Sequence, residues 1–393
     1  MKAERTGQVG ARPRGEARLD MQYGDLVRPA VRLIKPYTAG TTVQQAKDRF
    51  GLKNVVKLSS NENPLGPSPR AMAALSAIPN AHIYVDDDHT ELRSRLGERY
   101  GLTKDHVIVG HGSNDVVMTI FATLVDPGDE VVQAAPTFSL FPKDTALFDA
   151  TAVRVPLRDG VHDLDAMLRA VTAKTKLVVI CDPNNPTGTR VEAAAFARFA
   201  HALPPRVVLV IDQAYREYMP PDSVEAIDFV HTRPATIVTR TMSKLYGLAS
   251  LRFGYALAEP ELIGYLQRVR VPFNVSRPAA IAALAALDDE DFVTRTLEIN
   301  AAGKAYLEHE FTRLGLAYFP TAANFFAVRV PVSASTAYDA LLERGIVVRS
   351  GDGLGLPDYL RITIGTEREN KTLISVLDPL VAQWTAPLAY RSA

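Results

Sequence analysis

The sequence predicts an α/β protein: a large domain with a mostly parallel sheet between helices, followed by a smaller α+β domain. Three observations predict it. From about residue 107 onward, short β-branched runs alternate with alanine-rich amphipathic stretches, as sequential strand and crossover-helix units do. Several of these runs are continuously apolar, as strands covered on both faces are. After about Pro272 the pattern shifts to long Ala-, Leu- and Glu-rich stretches with isolated strand-like runs, and no repeat or low-complexity linker separates the two parts.

Residues 1–20 mix Gly, Pro, Arg and acids without an apolar segment, and they read as a disordered arm, with Met21 an alternative start. Residues 21–48 read as an N-terminal arm with part of the small domain, 49–272 as the large domain and 273–393 as the small one. In the large domain, 107–109 is strand-like and leads through Gly110-His111-Gly112-Ser113-Asn114 into a helical 115–124. Strands follow at 130–134, 176–181 (KLVVIC), 207–211 (VVLVI) and 236–239 (TIVT), and VEAAAFARFAHAL at 191–203 is a helix that covers the sheet. The small domain reads as helices to about 314, a strand at 324–328, a helix at 335–344, and strands at 346–348 and 360–364.

Composition narrows the function. Lys plus Arg number 44 and Asp plus Glu number 44, so a formal net charge of +0 leaves no field to recruit nucleic acid or an acidic membrane. The longest apolar stretch, 279–287, is far short of the roughly 20 residues that a spanning helix needs. A single cysteine, Cys181, excludes an internal disulfide and a Cys-based zinc site and suits the cytoplasm. The eight histidines show no paired ligand spacing, so no metal is expected.

The chemistry-bearing residues follow the strands, where open α/β sheets place their ligands. The turn at 110–114 opens a helix whose free N–H groups suit a phosphate, although plain connections look the same. In CDPNNPTG (181–188), Asn184 and Asn185 either present an amide to a ligand or close an Asx turn. Asp212 ends an apolar run, and it needs either a cationic partner or a helix to cap. Lys244 is the only lysine between Lys176 and Lys304, set between an apolar strand and an apolar helix where desolvation would make it a usable amine nucleophile.

With these residues in view, the chain resembles the class I/II, fold-type I aminotransferases that depend on pyridoxal 5′-phosphate. The motifs, in order, are KLSSNENPLGPSP (57–69), PTFSLF (136–141), PNNPTG (183–188), DQAY (212–215), TMSKLYGLASLRFGY (241–255) and LRITIGTEREN (360–370). The resemblance implies that Lys244 forms the Schiff base with the cofactor aldehyde and moves the proton during transfer. It implies that Asp212 pairs with the pyridinium nitrogen and that Tyr215 and Asn185 hydrogen-bond the phenolic oxygen. Phe138 would stack on the ring, and Ser113, Asn114, Thr241, Ser243 and Arg252 would hold the phosphate. Arg361 would grip the substrate's anionic end, with Arg349 and Tyr37 as further anion contacts, Tyr37 reaching into a second subunit of a homodimer. Asn63 stands where some relatives give a tyrosine to the partner's cofactor phosphate.

Within the group the motifs are most similar to those of the histidinol-phosphate aminotransferases. That implies an amino donor and a 2-oxo acid as substrates, with Arg361 taking a phosphate in one half-reaction and a carboxylate in the other. Aromatic amino-acid aminotransferases, a threonine-phosphate decarboxylase and amino-acid oxidases are similar too. A non-catalytic cofactor-binding regulator would need a DNA-binding segment, which the short N-terminal arm does not supply.

Overall fold

The computed structural model describes residues 23–36, 39–78 and 80–386. In chain order the strands are β1 (Val56–Lys57), β2 (Val107–His111), β3 (Glu130–Ala135), β4 (Thr151–Pro156), β5 (Thr175–Cys181), β6 (Val208–Asp212), β7 (Thr236–Thr241), β8 (Phe253–Leu257), β9 (Phe325–Arg329), β10 (Ile346–Val347), β11 (Arg349–Ser350) and β12 (Tyr359–Thr363). Seven of them form one sheet in the order β2-β8-β7-β6-β5-β3-β4. The β6–β7, β5–β6, β3–β5 and β3–β4 pairs are parallel, and β8 runs antiparallel to both β7 and β2.

The apolar runs become central strands because alternate residues serve two cores. In β5, Val178 and Ile180 face one core while Leu177, Val179 and Cys181 face the other. β6 repeats this, with Leu209 and Ile211 on the first side and Val208 and Val210 on the second. The helix Ala193–Ala202 brings Phe196, Phe199 and Ala200 to the first core, and the helix Ser113–Leu124 brings Val116, Val117, Ile120 and Phe121 to the second. The sequence reading leaves out β4 and β8. β4 is an edge strand in which only Val155 is buried and Thr151, Arg154 and Pro156 are exposed, so its pattern lacks an apolar run.

A three-stranded antiparallel sheet, β11-β12-β9, packs Phe326, Val328, Leu360 and Ile362 against Leu373 and Leu377 of the helix Glu367–Thr385. That helix opens with a capping box between Thr366 and Glu369.

Packing divides the chain at different places from those expected. Val56 and Lys57 pair in parallel with Ile346 and Val347, and Leu58 lies in the second sheet's core, so this piece of 49–272 belongs with the C-terminal part. The helix Arg277–Leu287, expected in the small domain, buries Ala279, Ala282, Ala283 and Ala286 in the first core of the seven-stranded sheet. Its alanines recur at helical spacing, and their small side chains let it lie close to the helix Pro69–Leu75. The long helix Glu290–Arg313 bridges the two parts: Val293 and Leu297 pack on the first core, Leu307 and Phe311 in the second. The change of composition near residue 272 therefore marks the onset of long helices, not a boundary in packing. No helix among the described residues is long and apolar enough to cross a membrane.

Candidate active site

One edge of the seven-stranded sheet carries the C-terminal ends of β5, β6 and β7, the start of β8 and the start of the helix Ser113–Leu124. A cleft of about 210 Å³ opens there, and the second sheet supplies its other wall. Ser113, Asn114, Phe138, Asn185, Asp212, Tyr215, Thr241, Ser243, Lys244, Arg252, Arg349 and Arg361 all line it. Tyr37 and residues 1–20 lie outside the described residues.

At the base, Gly112 turns the chain into its helix at φ 78°, and among the described residues no side chain caps that N-terminus. Arg252, itself in the left-handed region at φ 56°, lays its guanidinium against Gly112, where any Cβ would collide with it. Gly254 is needed for the same reason, since a Cβ there would strike the Ser113 backbone. Thr241 Oγ1 donates to Phe253 O at 3.1 Å and lies 3.0 Å from Ser243 Oγ, which places both hydroxyls beside the helix start. Uncapped N–H groups, a guanidinium and two hydroxyls around a space kept clear by glycine fit a phosphate.

Deeper in, Asp212 is 3% exposed and accepts from Thr239 Oγ1 and Ala214 N, each at 3.2 Å. Burial pushes its carboxyl up to about 6, against the pull of those bonds and of Lys244. No Lys or Arg among the described residues lies within ion-pair distance of it, and no helix starts there for it to cap. A buried acid aimed at a cleft without its cation fits a protonated ring nitrogen. With the phosphate cradle, this makes the residues fit pyridoxal 5′-phosphate.

Lys244 follows β7, and the segment after it folds as a turn and the short 3₁₀ helix Ala249–Leu251, not as the expected apolar helix. Its Nζ donates to Ser60 O at 3.1 Å and lies 5.8 Å from the centre of the Tyr215 ring. Desolvation first, then the nearby Arg361, lowers this amine to about 8. Tyr215 is buried against Phe325 and its hydroxyl accepts from Asn61 Nδ2 at 2.8 Å. Burial pushes the phenol up to about 12.

At the opposite wall, Arg361 donates to Asn185 Oδ1 at 2.8 Å and to Ser59 O at 2.7 Å, and its partner across the β11–β12 ladder is Arg349. The two asparagines divide their tasks. Asn184 is fully buried and locks the loop through Pro136 O, Thr137 and Thr187, while Asn185 faces the cleft.

Asn63 is placed elsewhere. Its amide donates to Leu245 O at 2.6 Å and accepts from Leu65 N at 2.9 Å, tethering the residue after Lys244 from within the same chain. Sequence reasoning assigned no role to Ser59, Ser60 and Asn61, although they stand in the quoted KLSSNENP motif. The signal was a polar run directly after a short apolar one, which folds as the two-residue strand β1 and the bend that follows it. Outside the cleft, the structure also brings together His106, His231 and Glu259, a group that the spacing of the histidines did not show.

The family model for aminotransferase class I and II matches residues 53–377. The histidinol-phosphate aminotransferase of Moorella thermoacetica is 42% identical over 358 residues, covering 90% of this chain and 93% of that one. Histidinol-phosphate aminotransferase 2 of Ralstonia nicotianae is 42% identical over 372 residues, 93% of this chain and 99% of the relative. Among solved structures, the histidinol-phosphate aminotransferase of Sinorhizobium meliloti in complex with pyridoxal-5′-phosphate is similar at a TM-score of 0.82 and 28% identity, covering 91% of this chain and 97% of that one.

Proposed function

Because the chain belongs to the class I and II aminotransferase family, we propose that it transfers an amino group between L-histidinol phosphate and 2-oxoglutarate, a step of histidine biosynthesis. It is a pyridoxal-phosphate-dependent enzyme. Bound, the cofactor supplies an aldehyde to capture amines and a ring to accept electrons. The helix start at Ser113 and Asn114, with Thr241, Ser243 and Arg252, would hold its phosphate, and Phe138, which lines the same cleft, would pack on its ring. Asp212 would keep the ring nitrogen protonated, and Tyr215 with Asn185 would bond the phenolic oxygen.

Lys244 would hold the cofactor's aldehyde, and its free amine would serve as the base and acid that moves the substrate's α proton. An amine lowered to about 8 suits both tasks, since an appreciable fraction is neutral near pH 7. Arg361 orients the substrate. Histidinol phosphate has no α-carboxylate whereas glutamate does, so one forked guanidinium meets a phosphate in one direction and a carboxylate in the other.

The observation that carries the substrate reading is the cross-strand pair of Arg361 and Arg349 at the cleft wall. Two guanidiniums side by side favour a substrate with a dianionic end over a neutral aromatic ring. A half-reaction screen tests it, following bound-cofactor absorbance with histidinol phosphate, glutamate, phenylalanine and tyrosine. Phenylalanine preferred tenfold over histidinol phosphate, about 1.4 kcal/mol, overturns the assignment in favour of an aromatic aminotransferase.

A homodimer in the cytoplasm completes the reading. On the surface Tyr84 and Phe273 stack with ring centres 4.6 Å apart, and Ile83 and Val271 are more than half exposed, apolar area that a second copy would cover. Light scattering that finds a fully active monomer removes the dimer.

A further inference from the structure

At the end of β2, β8 and β7 opposite the cleft, three side chains from separate elements converge. His106 closes the 3₁₀ turn Lys104–His106 just before β2, His231 lies in the helix Asp228–Thr232 that leads to β7, and Glu259 follows β8 at the start of the helix Pro260–Val269. One ligand atom of each lies within 4.8 Å of the other two. We propose that His106, His231 and Glu259 form a binding site for a divalent transition metal, zinc foremost, with a structural role.

His231 Nδ1 is 3.0 Å from Glu259 Oε1, and its ring meets the His106 ring edge-on with centres 5.5 Å apart. An ion pair accounts for the first contact. It does not account for a second imidazole brought into the same few ångströms. His106 Nδ1 in turn lies 2.9 Å from Thr103 Oγ1, the sort of second partner that fixes the orientation of a metal-bound imidazole. Around zinc, ligand atoms stand about 3.4 Å apart, so the group closes by rotation of side chains that are 56% exposed at His231 and 31% at Glu259.

Two imidazoles and one carboxylate are borderline donors. They select Zn²⁺, Ni²⁺ or Cu²⁺ over Mg²⁺ and Ca²⁺, which prefer oxygen sets. The backbone around the site is already tied together, since Ala258 N donates to His106 O at 3.0 Å. An ion there would clasp the edge strand β2 and the helix Pro260–Val269 to the middle of the sheet, remote from the catalytic residues.

The test uses the holoenzyme, dialysed against a chelator and titrated with Zn²⁺ alone against a competing indicator dye. One equivalent per chain and a zinc-dependent rise in thermal midpoint are expected, with no rise for Mg²⁺. His231→Ala and Glu259→Gln should each weaken zinc binding on the order of a hundredfold, because even second-partner losses cost about ten- to hundredfold. His309→Ala, an exposed histidine elsewhere, should bind as the wild type does. Glu259→Gln preserves shape, so it reads the site even if His231→Ala folds poorly. Zinc bound as tightly by both site variants as by the wild type, whether through the cofactor or through adventitious surface groups, overturns the proposal, as does absence of saturable binding.

Discussion

Replacing Arg361 gives the sharpest account of how the cleft chooses its substrate. Its guanidinium donates to Asn185 Oδ1 at 2.8 Å and Ser59 O at 2.7 Å, so it is pre-aimed before any substrate arrives. In Arg361→Ala the desolvated pair with the substrate anion is lost, at a cost of about 2–5 kcal/mol. That is roughly thirtyfold to several-thousandfold in kcat/KM for histidinol phosphate. Arg361→Lys keeps the charge but not the fork, and losing one bond to a charged group, about 1.5–3 kcal/mol, predicts a fall of roughly ten- to 150-fold. The assay compares histidinol phosphate with histidinol, which lacks the phosphate. The wild type should discriminate strongly between them, and the alanine variant should lose most of that discrimination while also losing glutamate turnover. Equal losses for histidinol and histidinol phosphate would refute the reasoning, because Arg361 would then support the loop rather than the phosphate.

Other outcomes follow from the buried groups. In cofactor-stripped protein the rate of recombination with pyridoxal phosphate should rise as pH increases and level off above about 8, since only the neutral Lys244 amine attacks; a pH-independent stopped-flow rate contradicts this. Asp212→Asn should fold normally yet lower kcat on the order of a hundredfold or more, given about 3–5 kcal/mol for removing one member of a buried charge pair. Asn61→Ala removes the donor to Tyr215, and kcat should fall more than KM rises, because the loss acts on a catalytic-site hydroxyl and not on the substrate's anionic end. Asp144 is buried, its Oδ2 has no hydrogen-bond partner among the described residues, and desolvation raises it to about 7. Its folded value lies above the unfolded one, so its contribution is full below about 4 and is lost as pH rises through 7, at about 1.4 kcal/mol per pH unit. Asp144→Asn should therefore flatten the dependence of thermal midpoint on pH between about 4 and 7.

The residues legible in the sequence are those whose signal is local. Asp212 and Lys244 interrupt apolar runs, and the glycines flanking His111 announce a turn into a helix; each reads within a few positions. The side chains that complete the cleft from outside those strands are not local. Asn61 reaches Tyr215 across 154 positions, and Ser59 reaches Arg361 across 302. His106 and His231 meet only because β2 and β7 flank β8 in a topology that no spacing rule encodes. The division of the chain misled for another reason: composition follows helix content, whereas packing follows which face of each helix is apolar. The alanines of Arg277–Leu287 belong to the first core, although their composition resembles what comes after them.

Three consecutive residues, 59–61, bond to Arg361, Lys244 and Tyr215 in turn. The same stretch, with Leu58 before it, is stitched to the second sheet at β12, since Thr363 N donates to Leu58 O at 2.9 Å and Asn61 N to Thr363 Oγ1 at 2.9 Å, and to β10 beside it, since Leu58 N donates to Val347 O at 2.7 Å. The Lys244 amine, the Tyr215 phenol and the Arg361 guanidinium thus share one backbone support. Substitutions at Arg361 and Lys244 should be non-additive in a double-mutant cycle although no direct bond joins them. For redesign, altering substrate choice through this segment will also shift the chemical step, so selection for a new amine has to act on both at once.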